Sequence, residues 1–217
     1  MGAHNSNLKR CITEEYDRVR DPSREYLILR ELLTFRVPNL IQLDLSHTGV
    51  LFVLDRGATG QFQLGDLLAF YDTCADRAKL YRPHEFQAYI QGYCSLQLWS
   101  SVATPEGKQN FTNWFGALVL NNEKEVHTFE EHTGVTFVTR DTLQIIYEIL
   151  NVTETHGMDF QSFFDLLQRV GEEKGTMDLE NEALDDYAPL DVIEDFAGKF
   201  IGGFREGINL DALELLD

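Results

Sequence analysis

The clearest structural pattern in the chain is Asp55-Arg56-Gly57-Ala58-Thr59-Gly60-Gln61-Phe62-Gln63-Leu64-Gly65-Asp66, followed by the apolar residues Leu67, Phe70 and Tyr71. Oxygen-bearing side chains stand at positions 1, 5 and 12 of this segment, with glycine at position 6 and an apolar residue at position 8. Glycine permits a sharp turn, and the spacing of the three apolar residues is typical of a helix. The pattern predicts a loop that is entered by a helix at roughly 40–54 and left by a helix at 66–80.

This segment has the outline of a calcium-binding loop. Calcium takes roughly six to eight oxygen ligands, usually including a bidentate carboxylate at the last loop position. The candidate metal ligands are Asp55, Thr59, the backbone carbonyl of Gln61, and Asp66. Gly57 offers no ligand at position 3, and an aspartate at position 12 reaches less far than the usual glutamate. We therefore expect either a weak Ca²⁺ site in this loop or a metal-free structural turn.

Three further outlines of the same kind lie at 102–113, 151–162 and 201–212. The loop starts are then 47, 49 and 50 residues apart (102−55, 151−102, 201−151). These outlines keep much of the apolar pattern but lose most of the oxygen ligands, so only the loop at 55–66 is a plausible metal site. Helix-loop-helix units at this spacing predict an all-α fold with the units arranged in two lobes. A generic helical bundle is the alternative.

The N-terminus carries a second motif, Met1-Gly2-Ala3-His4-Asn5-Ser6, which fits the N-myristoylation pattern once Met1 is removed. One myristoyl chain gives only marginal membrane binding, so a second signal is needed. Lys9 and Arg10 follow the motif, and each cation contributes about 1 kcal/mol beside an anionic membrane surface. Cys11 is a candidate palmitoylation site, with an ordinary surface cysteine as the alternative reading.

Together, the acylation motif and the loop outlines resemble those of the EF-hand superfamily, in particular its N-myristoylated neuronal calcium sensors and calcineurin-B-like proteins. The resemblance implies a compact, two-lobed helical protein that offers an apolar groove to a partner helix. In that group calcium opens the groove. Because the ligands are degenerate in three of the loops here, we expect the groove and the lipid anchor without a complete calcium switch.

Prolines, glycines and charge runs suggest the domain organisation. Residues 1–22 form the N-terminal acylation segment, and residues 23–122 form the first lobe, which opens with a helix at 24–33. Residues 134–217 form the second lobe and include an acidic, poorly periodic stretch at 171–188 that is predicted to be a mobile connector. Further helices are predicted to begin at Pro83, after Thr139 and at 160.

Aromatic residues at helical spacing are the candidate lining of the partner groove. They are Phe52, Phe70, Tyr71, Phe86, Tyr89 and Trp114 in the first lobe, and Phe163 and Phe164 in the second. Aromatic stripes of this kind also build ordinary cores, so burial inside the protein is the alternative reading.

Composition narrows the class of function. Of the 217 residues, 43% are hydrophobic, which is enough for a substantial core. The formal net charge of −18 argues against nucleic acid as a partner and suits cations or a basic protein segment. The chain has no glycine-rich phosphate loop, HExxH or GxSxG motif, so a non-enzymatic protein is expected. Its three cysteines have no CxxC spacing and are interpreted as free thiols in a reducing compartment.

These patterns predict a cytoplasmic, peripheral membrane protein. We expect a membrane-tethered regulatory or adaptor protein with degenerate EF-hands, which binds a helical or basic segment of a protein partner through its apolar groove. Two alternatives stay open. One is a calcium sensor with a single weak loop at 55–66, and the other is a structural subunit of a larger assembly.

Overall fold

The computed structural model describes residues 2–37, 43–123, 127, 129, 132, 134–150 and 157–207, without the side chains of residues 2–5 and 200–207. The helices are α1 (Gly2–Val19), α2 (Leu29–Leu32), α3 (Thr48–Leu54), α4 (Leu64–Ala78), α5 (Pro83–Ser101), α6 (Pro105–Leu120), α7 (Arg140–Ile149), α8 (Phe160–Lys174) and α9 (Leu190–Gly207). A 3₁₀ turn lies at Glu182–Leu184, and the strands are β1 (Phe137–Thr139) and β2 (Tyr187–Pro189). The predicted mostly helical fold is confirmed for these residues.

Two short antiparallel pairings connect loops that are distant in sequence. Leu27 and Phe62 exchange backbone hydrogen bonds, with N···O distances of 3.0 Å from Leu27 and 2.9 Å from Phe62. In the second half of the chain β1 pairs with β2, and Val138 lies opposite Ala188. The first pairing joins the segments that precede α2 and α4, and the second joins the strands that precede α7 and α9. In each pair, the two helices therefore begin close to each other.

The helix predicted at 24–33 is wrong in extent, because the structure confines α2 to Leu29–Leu32. The preceding residues are extended where Leu27 pairs with Phe62. Glu31 secures this turn: its carboxylate accepts hydrogen bonds from the backbone N–H of Ile28 and of Asp21, both at 3.0 Å. The tertiary pairing therefore overrides the local helical preference.

The loop predicted at 102–113 is also wrong, because residues 105–113 belong to α6. Thr104 Oγ1 accepts a hydrogen bond from the N–H of Gly107 at 3.1 Å, and Pro105 occupies the first helical position. This cap and proline form a strong local helix start. The loop predicted at 201–212 is wrong over 201–207, which continue α9. Residues 151–156 and 208–212 of the remaining predictions lie outside the described residues.

Most of the buried apolar residues form one continuous cluster that runs from Leu8 in α1 to Ala197 in α9. The cluster crosses the predicted boundary between lobes: α6 was assigned to the first lobe, yet it packs against α9. Helices α3 and α5 also pack closely, and a Cβ at Gly49 would lie 2.9 Å from the backbone nitrogen of Ser95. The division into two lobes stays a prediction.

The acidic stretch at 171–188 is largely built into the fold. It begins with the last turn of α8 and turns sharply at Gly175, whose φ is 73°. Met177 and Leu184 are buried and form a small second core with Phe137 of β1. These apolar residues are too sparse to produce a periodic pattern, although they fix the path of the chain between α8 and β2.

Candidate functional site

The loop at 55–66 holds its first aspartate inside the protein. Asp55 is 4% exposed, and its Oδ2 accepts hydrogen bonds from Trp114 Nε1 of α6 at 2.9 Å and from the N–H of Gly60 at 2.5 Å. Its Oδ1 accepts from the N–H and the hydroxyl of Thr59, at 3.2 and 3.4 Å. Both carboxylate oxygens are therefore directed at protein donors.

The rest of the loop rests on the end of α6. Gly60 has a φ of +72°, and a Cβ there would lie 2.5 Å from the backbone carbon of Ala117 and from the nitrogen of Leu118. Asn121 Nδ2 donates to the carbonyl of Thr59 at 2.9 Å. Position 60 therefore requires glycine for two reasons: its backbone is left-handed, and a Cβ there would collide with α6.

Two of the other candidate metal ligands, Thr59 and Asp66, also have protein partners. Gln61 was a candidate through its backbone carbonyl, whereas its side-chain Nε2 donates to Asn121 Oδ1 at 3.4 Å. Asp66 pairs with Arg56, whose Nε lies 3.8 Å from Oδ1. Thr59 faces Asp55. Among the described residues there is no group of three or more His, Cys, Asp or Glu side chains placed to hold a metal.

These contacts place protein donors on the carboxylates that a calcium ion would have to bind. A cation at Asp55 would compete with N–H donors for the carboxylate lone pairs, and Arg56 places a positive charge beside the carboxylate at position 12. The weak Ca²⁺ site at Asp55, Thr59, Gln61 and Asp66 stays a prediction. What the structure assigns to Asp55 is the attachment of the loop to α6.

The predicted groove residues point inwards. Six of the eight are buried, namely Phe70, Tyr71, Phe86, Trp114, Phe163 and Phe164, and Phe52 and Tyr89 are partly buried. Phe52 meets the Trp114 ring edge-on, with the ring centroids 5.2 Å apart. In this conformation these side chains contribute to the core rather than to an open surface, and the groove stays a prediction.

The two interior cysteines behave as small apolar side chains. Burial raises the pKa of Cys74 to about 12 and that of Cys94 to about 11, so both thiols are protonated at neutral pH. Because the thiolate is the nucleophile, neither group is activated for chemistry. Cys11 differs from them in being partly exposed, with its Sγ 3.9 Å from Asn7 Oδ1 on the preceding turn.

The predicted acylation segment is part of the fold. Gly2 begins α1, and Leu8, Ile12 and Tyr16 form a buried stripe one turn apart along the helix. The Tyr16 hydroxyl donates to the carbonyl of Phe62 at 3.0 Å. Acylation of Gly2 or Cys11 remains a prediction, and α1 itself is secured by its apolar face.

An exposed apolar turn between α4 and α5 was not anticipated. Leu80 is 78% exposed and Tyr81 is 40% exposed, between the cations Lys79 and Arg82. Tyr81 stacks on Tyr89, with the ring centroids 4.9 Å apart. The sequence does carry a signal for this turn, because two apolar residues stand between two cations just before Pro83. Turns between helices are usually polar.

Comparison with protein-family models, curated proteins and solved structures finds no match. Within the described ranges, no helix combines the length and the apolarity needed to cross a membrane.

Proposed function

We propose that this chain is a non-enzymatic regulatory or adaptor protein built from divergent EF-hand-like units. It is tethered to a cytosolic membrane face through acylated Gly2 and binds a protein partner largely without calcium control. The observation that carries the proposal is the hydrogen bond from Trp114 Nε1 to Asp55 Oδ2. It gives the most ligand-like carboxylate of the chain a structural partner in place of a metal.

The loop pairings support the EF-hand-like part of the proposal. Phe62 occupies position 8 of the loop at 55–66 and pairs with Leu27 of another interhelical loop. The pairing of Val138 with Ala188 repeats this arrangement in the second half. Two helix-loop-helix units joined through their loops would hold their helices in place through backbone hydrogen bonds and a shared core, without a bound ion.

The charge of the chain supports the proposed class of partner. With a net charge of −18 the surface favours a basic segment, and the attraction would accelerate association at low ionic strength. A helical segment carrying an apolar stripe would use the groove aromatics if they became accessible on binding. The partner is therefore a basic, amphipathic helix rather than a nucleic acid.

The test uses the tryptophan that contacts Asp55. The chain has two tryptophans, so Trp99→Phe leaves Trp114 as the only one. We expect its emission spectrum and the melting temperature of the protein to be unchanged between a chelator and millimolar Ca²⁺ or Mg²⁺. A saturable change that is lost in Asp55→Asn would instead establish the calcium sensor, because a metal at the Asp55 carboxylate would alter the surroundings of the indole that bonds to it.

A second measurement separates an adaptor from a structural subunit. We expect the unacylated chain to elute as a stable monomer or dimer in size-exclusion chromatography and to bind a basic amphipathic helix with an affinity that falls as salt is raised. Aggregation of the isolated chain, relieved only by co-expression with a partner, would favour the subunit and contradict the adaptor.

A further inference from the structure

The turn between α4 and α5 combines two features that are rare together on this molecule. Its apolar residues project into solvent, with Leu80 78% exposed and Tyr81 40% exposed. It is also free of acids, because residues 77–84 contain Arg77, Lys79 and Arg82 and no Asp or Glu. The turn is therefore locally positive on a chain whose formal net charge is −18.

The flanking acids are engaged in local contacts. Asp76 pairs with Lys79, with Oδ1 3.1 Å from Nζ, and both side chains are well exposed. Glu85 accepts a hydrogen bond from the backbone N–H of Arg82 at 3.0 Å and so caps α5. The guanidinium of Arg77 lies over the rings of Tyr89 and Tyr93, at 5.8 and 5.7 Å from their centroids. Arg82 can therefore meet an external surface directly. Lys79 can do so by exchanging Asp76 for an external anion, because an exposed ion pair contributes little stability.

The helix that packs against α4 also begins with a segment free of acids. Helix α1 packs against α4, and Tyr16, near the end of α1, bonds to Phe62, just before α4 begins. Residues 1–13 also contain no acid, and Lys9 and Arg10 are exposed.

We propose that the turn at 79–82 docks onto an anionic lipid bilayer, with Leu80 and Tyr81 entering the headgroup region and Lys79 and Arg82 facing the lipid charges. The proposal rests on the proposed membrane tether and supplies the second signal that a single acyl chain needs. Tyrosine favours the membrane interface, where its ring is apolar and its hydroxyl remains wet. Distant acids oppose this docking little, because the Debye length at physiological salt is about 8 Å.

The experiment measures sedimentation of the full chain with vesicles, either of phosphatidylcholine alone or of phosphatidylcholine mixed with the anionic lipid phosphatidylserine. The chain is prepared with and without N-myristoyltransferase, and mass spectrometry reads the state of Gly2. We expect anionic vesicles to bind the chain more strongly than neutral ones, and Lys79→Gln and Arg82→Gln each to lower the partition coefficient about fivefold, equivalent to about 1 kcal/mol per cation.

Leu80→Asn tests the apolar contact, and Leu96→Asn is its matched control. Leu96 is a similarly exposed leucine, at 65%, and lies on α5 four turns beyond the turn at 79–82. We expect Leu80→Asn to weaken binding severalfold and Leu96→Asn to leave it unchanged, with the circular dichroism spectrum and the melting temperature retained by both variants.

The outcomes separate the two proposals. If Gly2 is not acylated but the difference between wild type and the turn variants persists, the tether fails and the docking surface stands. Equal partitioning of wild type, Lys79→Gln and Leu80→Asn overturns the docking surface, whether or not Gly2 is acylated. It is also overturned if Leu80→Asn changes the oligomeric state of the free protein, because the turn would then be an interface between copies.

Discussion

Trp114 of α6 and Asp55 of the first loop are joined by a buried hydrogen bond of 2.9 Å between Nε1 and Oδ2, although 59 residues separate them in sequence. The same carboxylate accepts three further hydrogen bonds from its own loop. One side chain therefore sets both the local turn and its attachment to a distant helix.

This arrangement predicts a coupled loss of stability. Trp114→Phe removes one donor and leaves a buried carboxylate partly unsatisfied, for which we expect a loss of about 1–3 kcal/mol in the free energy of unfolding. Asp55→Ala should cost at least as much, because it leaves buried N–H groups without an acceptor. Urea unfolding at pH 7 measures both.

The control is Trp99→Phe, at the partly buried tryptophan of α5. In a double-mutant cycle the effects of Trp114→Phe and Asp55→Ala should not add, because both remove the same bond. Full additivity of the two losses would contradict a direct interaction.

The close approach of Gly60 to α6 gives a second prediction. Gly60→Ala places a Cβ 2.5 Å from backbone atoms of Ala117 and Leu118 in a left-handed conformation, so we expect a loss of roughly 3 kcal/mol or more. Gly65→Ala is the matched control, since its Cβ would meet no atom within 4 Å near the start of α4. It should leave stability unchanged or raise it by about 0.4–1 kcal/mol. Thermal unfolding of both variants provides the comparison, and equal melting temperatures would rule out the close contact.

Local signals in the sequence predicted several helices well. Pro83 begins α5 as expected, and Thr139 caps α7 through its side chain, which accepts from the N–H of Thr142. The helix expected at 66–80 corresponds to α4. For α5 and α7 a proline or a cap coincides with an apolar repeat, and for α4 the apolar repeat alone indicates the helix.

Long-range partners could not be predicted in this way. Nothing near Leu27 indicates that it pairs with Phe62, and nothing near Asp55 indicates that Trp114 is its donor. The aromatics proposed as a groove illustrate the same limit, because helical spacing identifies an apolar face without indicating whether another helix covers it. The prediction of a loop at 102–113 was wrong for a different reason. Its residue spacing matched the calcium-loop outline, but Thr104 and Pro105 provide a stronger signal for the start of a helix.

Glu15 should make the stability of the protein depend on pH. This residue is 8% exposed, and its carboxylate accepts hydrogen bonds from Arg18 Nε at 2.6 Å and from the N–H of Arg36 at 2.8 Å. The bond from Arg18 is the main cause that lowers the pKa of Glu15 below its ordinary value of 4.5. A depressed pKa stabilises the fold above the ordinary value, and this contribution is lost as the pH falls through the lowered one.

We therefore expect Glu15→Gln to destabilise the protein at pH 7 and to approach wild type as the pH falls below 4.5. Glu14→Gln is the neighbouring control, because Glu14 is 60% exposed and pairs only with Arg10 among the described salt bridges. It should change stability little at any pH. A loss for Glu15→Gln that is independent of pH would exclude the charged form as its cause.

Glu194 of α9 should have the opposite effect on the pH dependence of stability. Its Oε1 lies where a Cβ of Gly116 in α6 would stand, so the carboxylate is held between the two helices. Burial raises the pKa of Glu194 above 4.5, and the nearby acids Asp191 and Asp195 raise it further. An acid with a raised pKa opposes folding once it is ionised, so its unfavourable contribution grows as the pH rises through 4.5 towards the folded value.

Glu194→Gln keeps the shape of the side chain and removes the charge. We expect this variant to melt at a higher temperature than wild type at pH 7, and the difference to disappear below pH 4.5, where wild-type Glu194 is protonated in both states. Glu173→Gln, at an exposed position on α8, controls for the change in net charge. An equal gain for both variants at pH 7 would trace the effect to the overall charge of −18. A gain confined to Glu194→Gln would instead locate it at the contact between α6 and α9.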